Sequence, residues 1–381
     1  MQHFDVAIAG GGPAGAAAAV ALARAGRSVL LADVRPAGRL RVGEGLPPAA
    51  HSLLGELGVL EAFLAGGHRT SFGNVSAWGA AEPRSADFIR QPHGRGYQLD
   101  RLRFDAMLKA AAAAAGVAVR EGARLTHAGG ADRGGAPGTA LQLVAGGHAT
   151  ALSCRWLVDA GGRPASLARR FGATRSRIDR LVAFSMLLRP AAETDRDGRT
   201  LVEADEQGWW YSALLPSGAR LATYLSDADL VDRRALLSAR GLWSKLMATR
   251  LLALVCMEHG HRAAGEPQGA DASSGRLDAF SGPGWLAVGD AALSFDPLSS
   301  QGIANALHTG LQGARTVDAL LRGDGAAAAG YAAHLAAIHD AYLRHRQTFY
   351  DIERRWPHAP FWWRRHGARG ATGRSGAVVR D

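Results

Sequence analysis

A glycine-punctuated β-α-β pattern at the N-terminus, alternating strand patterns over 181–225 and long helical stretches after residue 300 together predict an α/β protein. The expected architecture is a Rossmann-like domain, an inserted antiparallel β-sheet domain and a helical C-terminal segment. The chain of 381 residues is long enough for two or three units and a large core. Hydrophobic residues make up 47% and charged residues 20%, which excludes a disordered chain. The longest apolar runs are short, such as Leu251–Met257, where a spanning helix needs about 20 residues. No basic, then apolar, leader precedes the first strand pattern, so no signal peptide is expected.

Net charge is +10, which raises nucleic acid as a partner. The basic residues argue otherwise. All but Lys109 and Lys245 are arginine, and they are spread along the chain. Nucleic-acid binding is not expected. Cys154 and Cys256 are the only cysteines and form no CxxC, which suits a reducing, cytoplasmic setting with inert thiols.

Phe4–Ala9 reads as a buried strand, Gly10–Gly15 as a turn, Ala14–Ala25 as a helix stopped by Gly26, and Ser28–Asp33 as a second strand. Residues 34–50 form a Gly/Pro-rich loop, long enough to suggest function. Helices follow at His51–Ala65 and Leu102–Ala115, with strands at Val117–Arg124, Leu141–Val144 and Cys154–Val158. Gly129–Gly138 is a surface turn region. Leu181–Leu188, Gly208–Leu215 and Arg220–Leu225 alternate as strands of a separate antiparallel sheet. Leu230–Met257 is helical, Gly284–Val288 a buried strand, and Gln301–Leu321 and Gly330–Tyr350 are helices. The tail after Trp363 reads as loose.

Gly10-Gly11-Gly12-Pro13-Ala14-Gly15 is a GxGxxG between a strand and a helix, with Asp33 closing the next strand. Gly10 permits the tight turn, Gly12 the approach of a pyrophosphate, and Gly15 close helix–strand packing. The helix N-terminus supplies N–H groups to phosphate, and Asp33 can accept from a ribose diol. Two later segments point to FAD. Arg155–Gly162 is a strand ending at Asp159 and Gly161. Trp285–Ala292 is a strand ending at Gly289-Asp290, followed by Asp296–Gly302 and a helix. An acid at such a strand end can bind ribityl hydroxyls. The helix entered through Gln301, Gly302 and Ile303 would aim its N–H groups at the flavin pyrimidine edge.

These segments together resemble the FAD-dependent monooxygenase and flavin halogenase superfamily, the relatives of p-hydroxybenzoate hydroxylase, from Phe4 to about Leu321. Asp33 stands where a glutamate is usual. Arg101-Leu-Arg-Phe104-Asp105-Ala-Met-Leu108 is similar to the family's Arg-x-x-Phe-Asp-x-x-Leu helix, which implicates Arg101 in FAD binding; Arg41 of the long loop is a further candidate. Gly43-Glu44-Gly45-Leu46-Pro47-Pro48 and the Gly289–Gly302 loop are similar to the tryptophan halogenase branch, and Gly208-Trp209-Trp210-Tyr211 echoes its Trp-x-Trp signature without matching it. Halogenases carry an essential lysine soon after the Gly-Glu loop. Arg69–Gly79 has none, which disfavours halogenation. The pattern is most similar to the halogenase-like flavoproteins that modify tryptophan in tryptophylquinone biogenesis.

The resemblance implies a monooxygenase that hydroxylates an aromatic or indole group through a flavin hydroperoxide. The substrate would be a small molecule or a tryptophan of a partner protein. No second GxGxxG is present, so electrons would come from an external donor, NAD(P)H or a flavin reductase. Glu44 is a candidate general base, its ordinary alternative being an ion pair with Arg39 or Arg41. Pro297 and Ser299 would shape the flavin-facing loop. Trp78, Trp209, Trp210 and Tyr211 could line an aromatic pocket or serve as core. No metal site is expected, since His334, His339 and His345 lack ligand spacing. Arg354–Arg365, rich in tryptophan, could dock a protein or simply cover the FAD domain. The alternatives are a reductase of the geranylgeranyl reductase type and a non-catalytic flavin-binding assembly partner. Residues 1–70, 98–175 and 276–330 are assigned to the FAD domain and 71–97 and 176–275 to the substrate domain. Residues 331–366 form the C-terminal segment and 367–381 a flexible tail.

Overall fold

The computed structural model describes residues 1–34, 43–88, 94–127, 139–191 and 195–366. Arg39, Arg41, the whole 129–138 turn region and the tail 367–381 lie outside these residues.

The first layer is a sheet in the order Ser281–Gly282, Trp285–Ala287, His148–Asp159, Gln2–Ala9, Val29–Asp33, Ala118–Glu121. The last five strands run parallel. Val6, Ala7 and Ile8 are fully buried, because helices cover both faces of a parallel sheet. Helix Pro13–Arg24 is almost all alanine on its buried face, which lets helix Gly302–Leu321 lie close. A Cβ at Gly310 would stand 2.3 Å from the Ala14 carbonyl oxygen.

The second layer is a seven-stranded sheet, in the order Arg262–Asp271, Leu181–Arg189, Arg220–Asp227, Gly208–Leu214, Thr200–Asp205, Gly73–Ala77, Arg84–Asp87. It is not purely antiparallel: Thr200–Asp205 pairs in parallel with Gly73–Ala77. Helices Arg233–Leu236, Ala239–Met247 and Leu251–Glu258 cover one face, and the C-terminal helices Ala327–Ile352 and Pro360–His366 cover part of the other.

Three expected elements are divided. His51–Ala65 is two helices, Ala50–Glu56 and Leu60–Leu64, because Gly58 takes φ +60° between them. Val117–Arg124 breaks at Gly122, with φ +66°, into Ala118–Glu121 and Ala123–His127. Leu230–Met257 is three helices; Asp232 and Ser238 cap the first two, and the Glu203 carboxylate accepts the Arg250, Leu251 and Leu252 N–H groups at the start of the third. Helix Pro360–His366 continues past Trp363, where a loose chain was expected.

A closed ionic knot holds one end of the second sheet. Asp195 accepts from Arg220 Nε at 2.7 Å and Nη2 at 3.0 Å, and from His261 Nε2 at 2.8 Å, with all three side chains buried. Burial alone would raise the Asp195 carboxyl. The hydrogen bonds from His261 and Arg220 override that and hold it well below the usual carboxylate range. The stability it contributes is complete above the ordinary value of 3.8 and is withdrawn as pH falls towards the depressed one. Asp195→Asn should cost about 3–5 kcal/mol in urea unfolding, by stranding the Arg220 guanidinium, and the loss should shrink in acid. An unchanged midpoint near neutrality would refute this account. Burial pushes Cys154 up to about 12 and Cys256 up to about 11, so neither free thiol is reactive.

Candidate functional site

Parallel strand order reverses between Gln2–Ala9 and His148–Asp159, and the cleft beyond that point is where such sheets bind ligands. Register brings the motifs to one edge: Ala9 pairs with Ala32 and Asp159, and Asp159 with Ala287. The turns are stitched together by Gly10 N–H to Ala32 O at 2.8 Å, Ala160 N–H to Ala9 O at 2.9 Å, and Val288 N–H to Asp159 O at 2.9 Å.

The cradle accepts only glycine. Gly10 has φ +111°, and a Cβ there would stand 2.3 Å from Ala160 O. At Gly15 it would stand 1.9 Å from Gly10 O. Gly12 caps helix Pro13–Arg24 with no side chain covering its free N–H groups. Asp33 is buried beneath Gly11, with Lys109 Nζ at 3.8 Å. Asp159 has a different part: one oxygen accepts Gly161 N–H at 2.9 Å, the other Leu167 and Ala168 N–H at 3.0 and 2.9 Å. Its carboxylate holds the turn, with three backbone donors already engaging it. Asp290 stays partly exposed beside Arg163 Nε at 3.3 Å, and Gly289, at φ +59°, donates to Thr309 Oγ1 at 2.8 Å. Pro297, Gln301 and Gly302 are exposed at the helix entrance, with Ile303 buried behind them. The Ser299 hydroxyl donates to Asp296 O at 2.9 Å and so shapes the turn. The Asn305 amide nitrogen in the first turn of that helix is buried without an acceptor. The glycine cradle, the uncapped helix start and this orphan donor fit a phosphate-linked heterocycle such as FAD.

Glu44 sits where the loop after Asp33 meets the second sheet. It is fully buried; Oε2 accepts Gly43 N–H at 2.8 Å and Oε1 accepts a short hydrogen bond from the Tyr211 hydroxyl. Arg101 Nη1 donates to Gly43 O at 2.7 Å and Nη2 lies 3.4 Å from Asp105. Burial raises the Glu44 carboxyl above its ordinary value, against the pull of the Tyr211 bond and the Arg101 charge. Burial and the neighbouring Glu44 also push the Tyr211 phenol well up. Glu44 and Tyr211 thus form one hydrogen-bonded pair that ties the loop before Gly45 to the second sheet.

The four candidate pocket aromatics separate. Trp210 belongs to the opposite face of its strand, packed on Tyr224, Leu242 and Leu246, and is removed from the pocket: neighbouring residues of a strand point to opposite sides. Trp209 faces the same side as Tyr211 but is sealed under Trp78, Tyr350 and Trp362. Trp78 Nε1–H donates to Phe349 O at 2.8 Å. The C-terminal aromatics cover the second sheet, where covering of the first domain was the expected alternative. Arg365 is buried against Asp227 at 2.8 Å, and Trp363 stands well exposed.

The FAD binding domain family matches residues 3–343. The chain belongs to that family. This flavoprotein is 30% identical over 374 residues to the FAD-dependent oxidoreductase LodB of Marinomonas mediterranea, covering 96% of this chain and 98% of that one. It is 29% identical to the flavin-dependent halogenase gsfI of Penicillium aethiopicum, over 85% of this chain but 66% of that longer one. Among solved structures, it is 25% identical to the peptidyl tryptophan dihydroxylase QhpG, essential for tryptophylquinone cofactor biogenesis, with a TM-score of 0.75 over 96% of this chain and 79% of QhpG. The protein is an FAD-dependent oxidoreductase with the flavin halogenase and monooxygenase fold.

Two polar residues of the flavoprotein's cleft escape sequence reasoning. One is Asn305. The other is Gln98, which donates to Thr200 Oγ1 at 2.8 Å while its own Oε1 is buried without a donor, close to Gly45 and so to Tyr211. Its position just before the Arg101 helix was the available signal. Both lysines are engaged away from Glu44: Lys109 with Asp33 and Glu121, Lys245 with Asp205 at 2.9 Å. Among the described residues no three ligand side chains could share a metal, and no helix is long and apolar enough to cross a membrane. A groove of about 1130 Å³ opens along strand Leu181–Arg189 and the C-terminal helices, and none of the predicted site residues line it.

Proposed function

We propose that this flavoprotein is a monooxygenase that inserts oxygen into an indole ring, with a tryptophan side chain of a partner protein as the substrate. The carrying observation is the hydrogen bond between the buried Glu44 and the half-buried Tyr211 where the loop before Gly45 meets the second sheet, without a lysine near it. The flavin supplies the oxygen-activating chemistry. The chain supplies the rest. Gly10, Gly12 and Gly15, with the start of helix Pro13–Arg24, would hold the pyrophosphate; Asp33 the ribose; Asp290 the ribityl chain; and Gly302, Ile303 and Asn305 the pyrimidine edge. Arg101 holds the Glu44 loop through Gly43 O. Glu44 Oε1, hydrogen-bonded by Tyr211, is the acceptor for the proton an aromatic ring must lose when oxygen adds to it. The buried junction excludes water from that step. Electrons come from an external donor, NAD(P)H or a flavin reductase.

The likeness to QhpG supports a protein-bound tryptophan, and the likeness to gsfI favours a halogenase as the second reading. Halogenation as described for the resembling family uses an amine, and both amines here are tied into ion pairs in other places. The test supplies reduced flavin, labelled dioxygen, chloride and bromide to a tryptophan-bearing partner oxidase and to its denatured peptide. Mass spectrometry should find labelled oxygen on tryptophan and no halogen. A halogen isotope pattern, or reoxidation of the flavin with no mass gain on any tryptophan, would sink the proposal.

A further inference from the structure

Helix Ala327–Ile352 extends beyond residue 343, where the family match ends, and three of its side chains at i, i+4 and i+8 lie against the turn that enters helix Gly302–Leu321. The Tyr342 hydroxyl accepts the Asp296 N–H at 2.9 Å, and its ring stacks on Phe295 with centroids 4.3 Å apart. Arg346 bridges two carboxylates, Asp179 at 3.0 Å and Asp296 at 3.5 Å. The Tyr350 hydroxyl donates to Asp296 Oδ2 at 2.7 Å. Asp296 in turn caps the Pro297–Ser299 turn through Leu298 N–H at 3.0 Å, and that turn delivers Ser300 at φ +51° and then Gln301 and Gly302. Asp296, Tyr342 and Tyr350 are buried and Arg346 is mostly covered, so the grip is held in a low-dielectric setting where each lost bond is expensive. Leu298 packs into the same aromatic cluster as Tyr350 and Trp362.

We propose that Tyr342, Arg346 and Tyr350 are positioning residues of the cofactor site, and that through Asp296 the C-terminal helix sets where the Pro297–Gly302 segment stands against the flavin. The inference rests on the reading that this segment faces the flavin. The turn's own backbone bonds are two, Ser299 N–H to Asp296 O and Ser300 N–H to Pro297 O, both 3.0 Å, and one of them ends on Asp296, so the turn moves with whatever grips that residue. The Arg346 guanidinium also balances a carboxylate that would otherwise oppose negative charge on the reduced flavin. These residues touch no substrate; they act through the turn.

The experiment uses the full chain and three variants: Tyr342→Phe, Tyr350→Phe and Pro297→Gly, which loosens the turn directly. FAD affinity, the midpoint potential of the bound flavin and the melting temperature of the FAD-free protein are measured for each. Tyr342→Phe and Tyr350→Phe should each weaken FAD binding about tenfold and move the potential in the same direction as Pro297→Gly, with little change in FAD-free melting. If Pro297→Gly moves affinity and potential while both tyrosine variants match the wild type, the positioning role is refuted and the turn keeps its place beside the flavin. If Pro297→Gly also leaves both unchanged, the turn does not face the flavin and the inference falls with that reading. Should Tyr350→Phe fail to fold, Tyr342→Phe decides, since its ring stays stacked on Phe295.

Discussion

Gly15→Ala is expected to yield a protein that purifies without FAD. The new methyl would stand 1.9 Å from the Gly10 carbonyl oxygen and 3.0 Å from Ala160 Cβ, and the first of these is backbone that cannot swing aside. Relief requires helix Pro13–Arg24 to withdraw from strand Gln2–Ala9, which moves the N–H groups that would face a pyrophosphate. Overpacking of this kind costs about 1–3 kcal/mol of stability. Every 1.4 kcal/mol lost at the phosphate is tenfold in affinity, so a loss of that size there would weaken FAD binding by about 5- to 150-fold. The control is Gly55→Ala. It lies within helix Ala50–Glu56, and a Cβ there meets nothing within 4 Å. That variant should keep FAD and gain up to about 1 kcal/mol from helix propensity. Equal FAD content in the Gly15 and Gly55 variants would show that the cradle is not where the cofactor sits.

The contrast between those two glycines also marks what a sequence can disclose. The cradle was legible because its steric demands are local: glycine at Gly10 and Gly15 answers a strand, a turn and a helix within one short segment. The strands over 181–225 were legible from their alternation, but grouping Trp209 and Trp210 together as pocket candidates overlooks that neighbouring residues of a strand face opposite sides. Which side of the sheet each would meet was not legible, since that depends on helices far along the chain. The parallel pairing of Thr200–Asp205 with Gly73–Ala77 left no trace in either segment. Glu44 and Tyr211 were each singled out, yet their bond joins residues 167 apart and belongs to tertiary structure alone. Asp159 stood at the expected strand end, but three backbone donors decide what its carboxylate does. The spacing of Tyr342, Arg346 and Tyr350 can be counted on a helix; that they close on Asp296 cannot.

Glu44→Gln should lower turnover about 100- to 10,000-fold while leaving the flavin bound, if the carboxylate accepts the proton released by the ring. The amide keeps the shape and can still accept Gly43 N–H, so the loop has no reason to collapse. The pH profile separates chemistry from scaffolding. Burial raises the Glu44 carboxyl above the ordinary value of 4.5, and only the ionised form can take a proton. Wild-type kcat/KM should therefore climb with pH through a limb above that value, and the Gln variant should lack the limb. Tyr211→Phe removes the donor that favours the carboxylate, so its limb should move to still higher pH. Its maximal rate should remain far above that of the Gln variant, because the base is still present. A Glu44→Gln enzyme that turns over normally, or one that loses FAD but keeps the same limb, would assign Glu44 to holding the loop and leave the proton acceptor to another group.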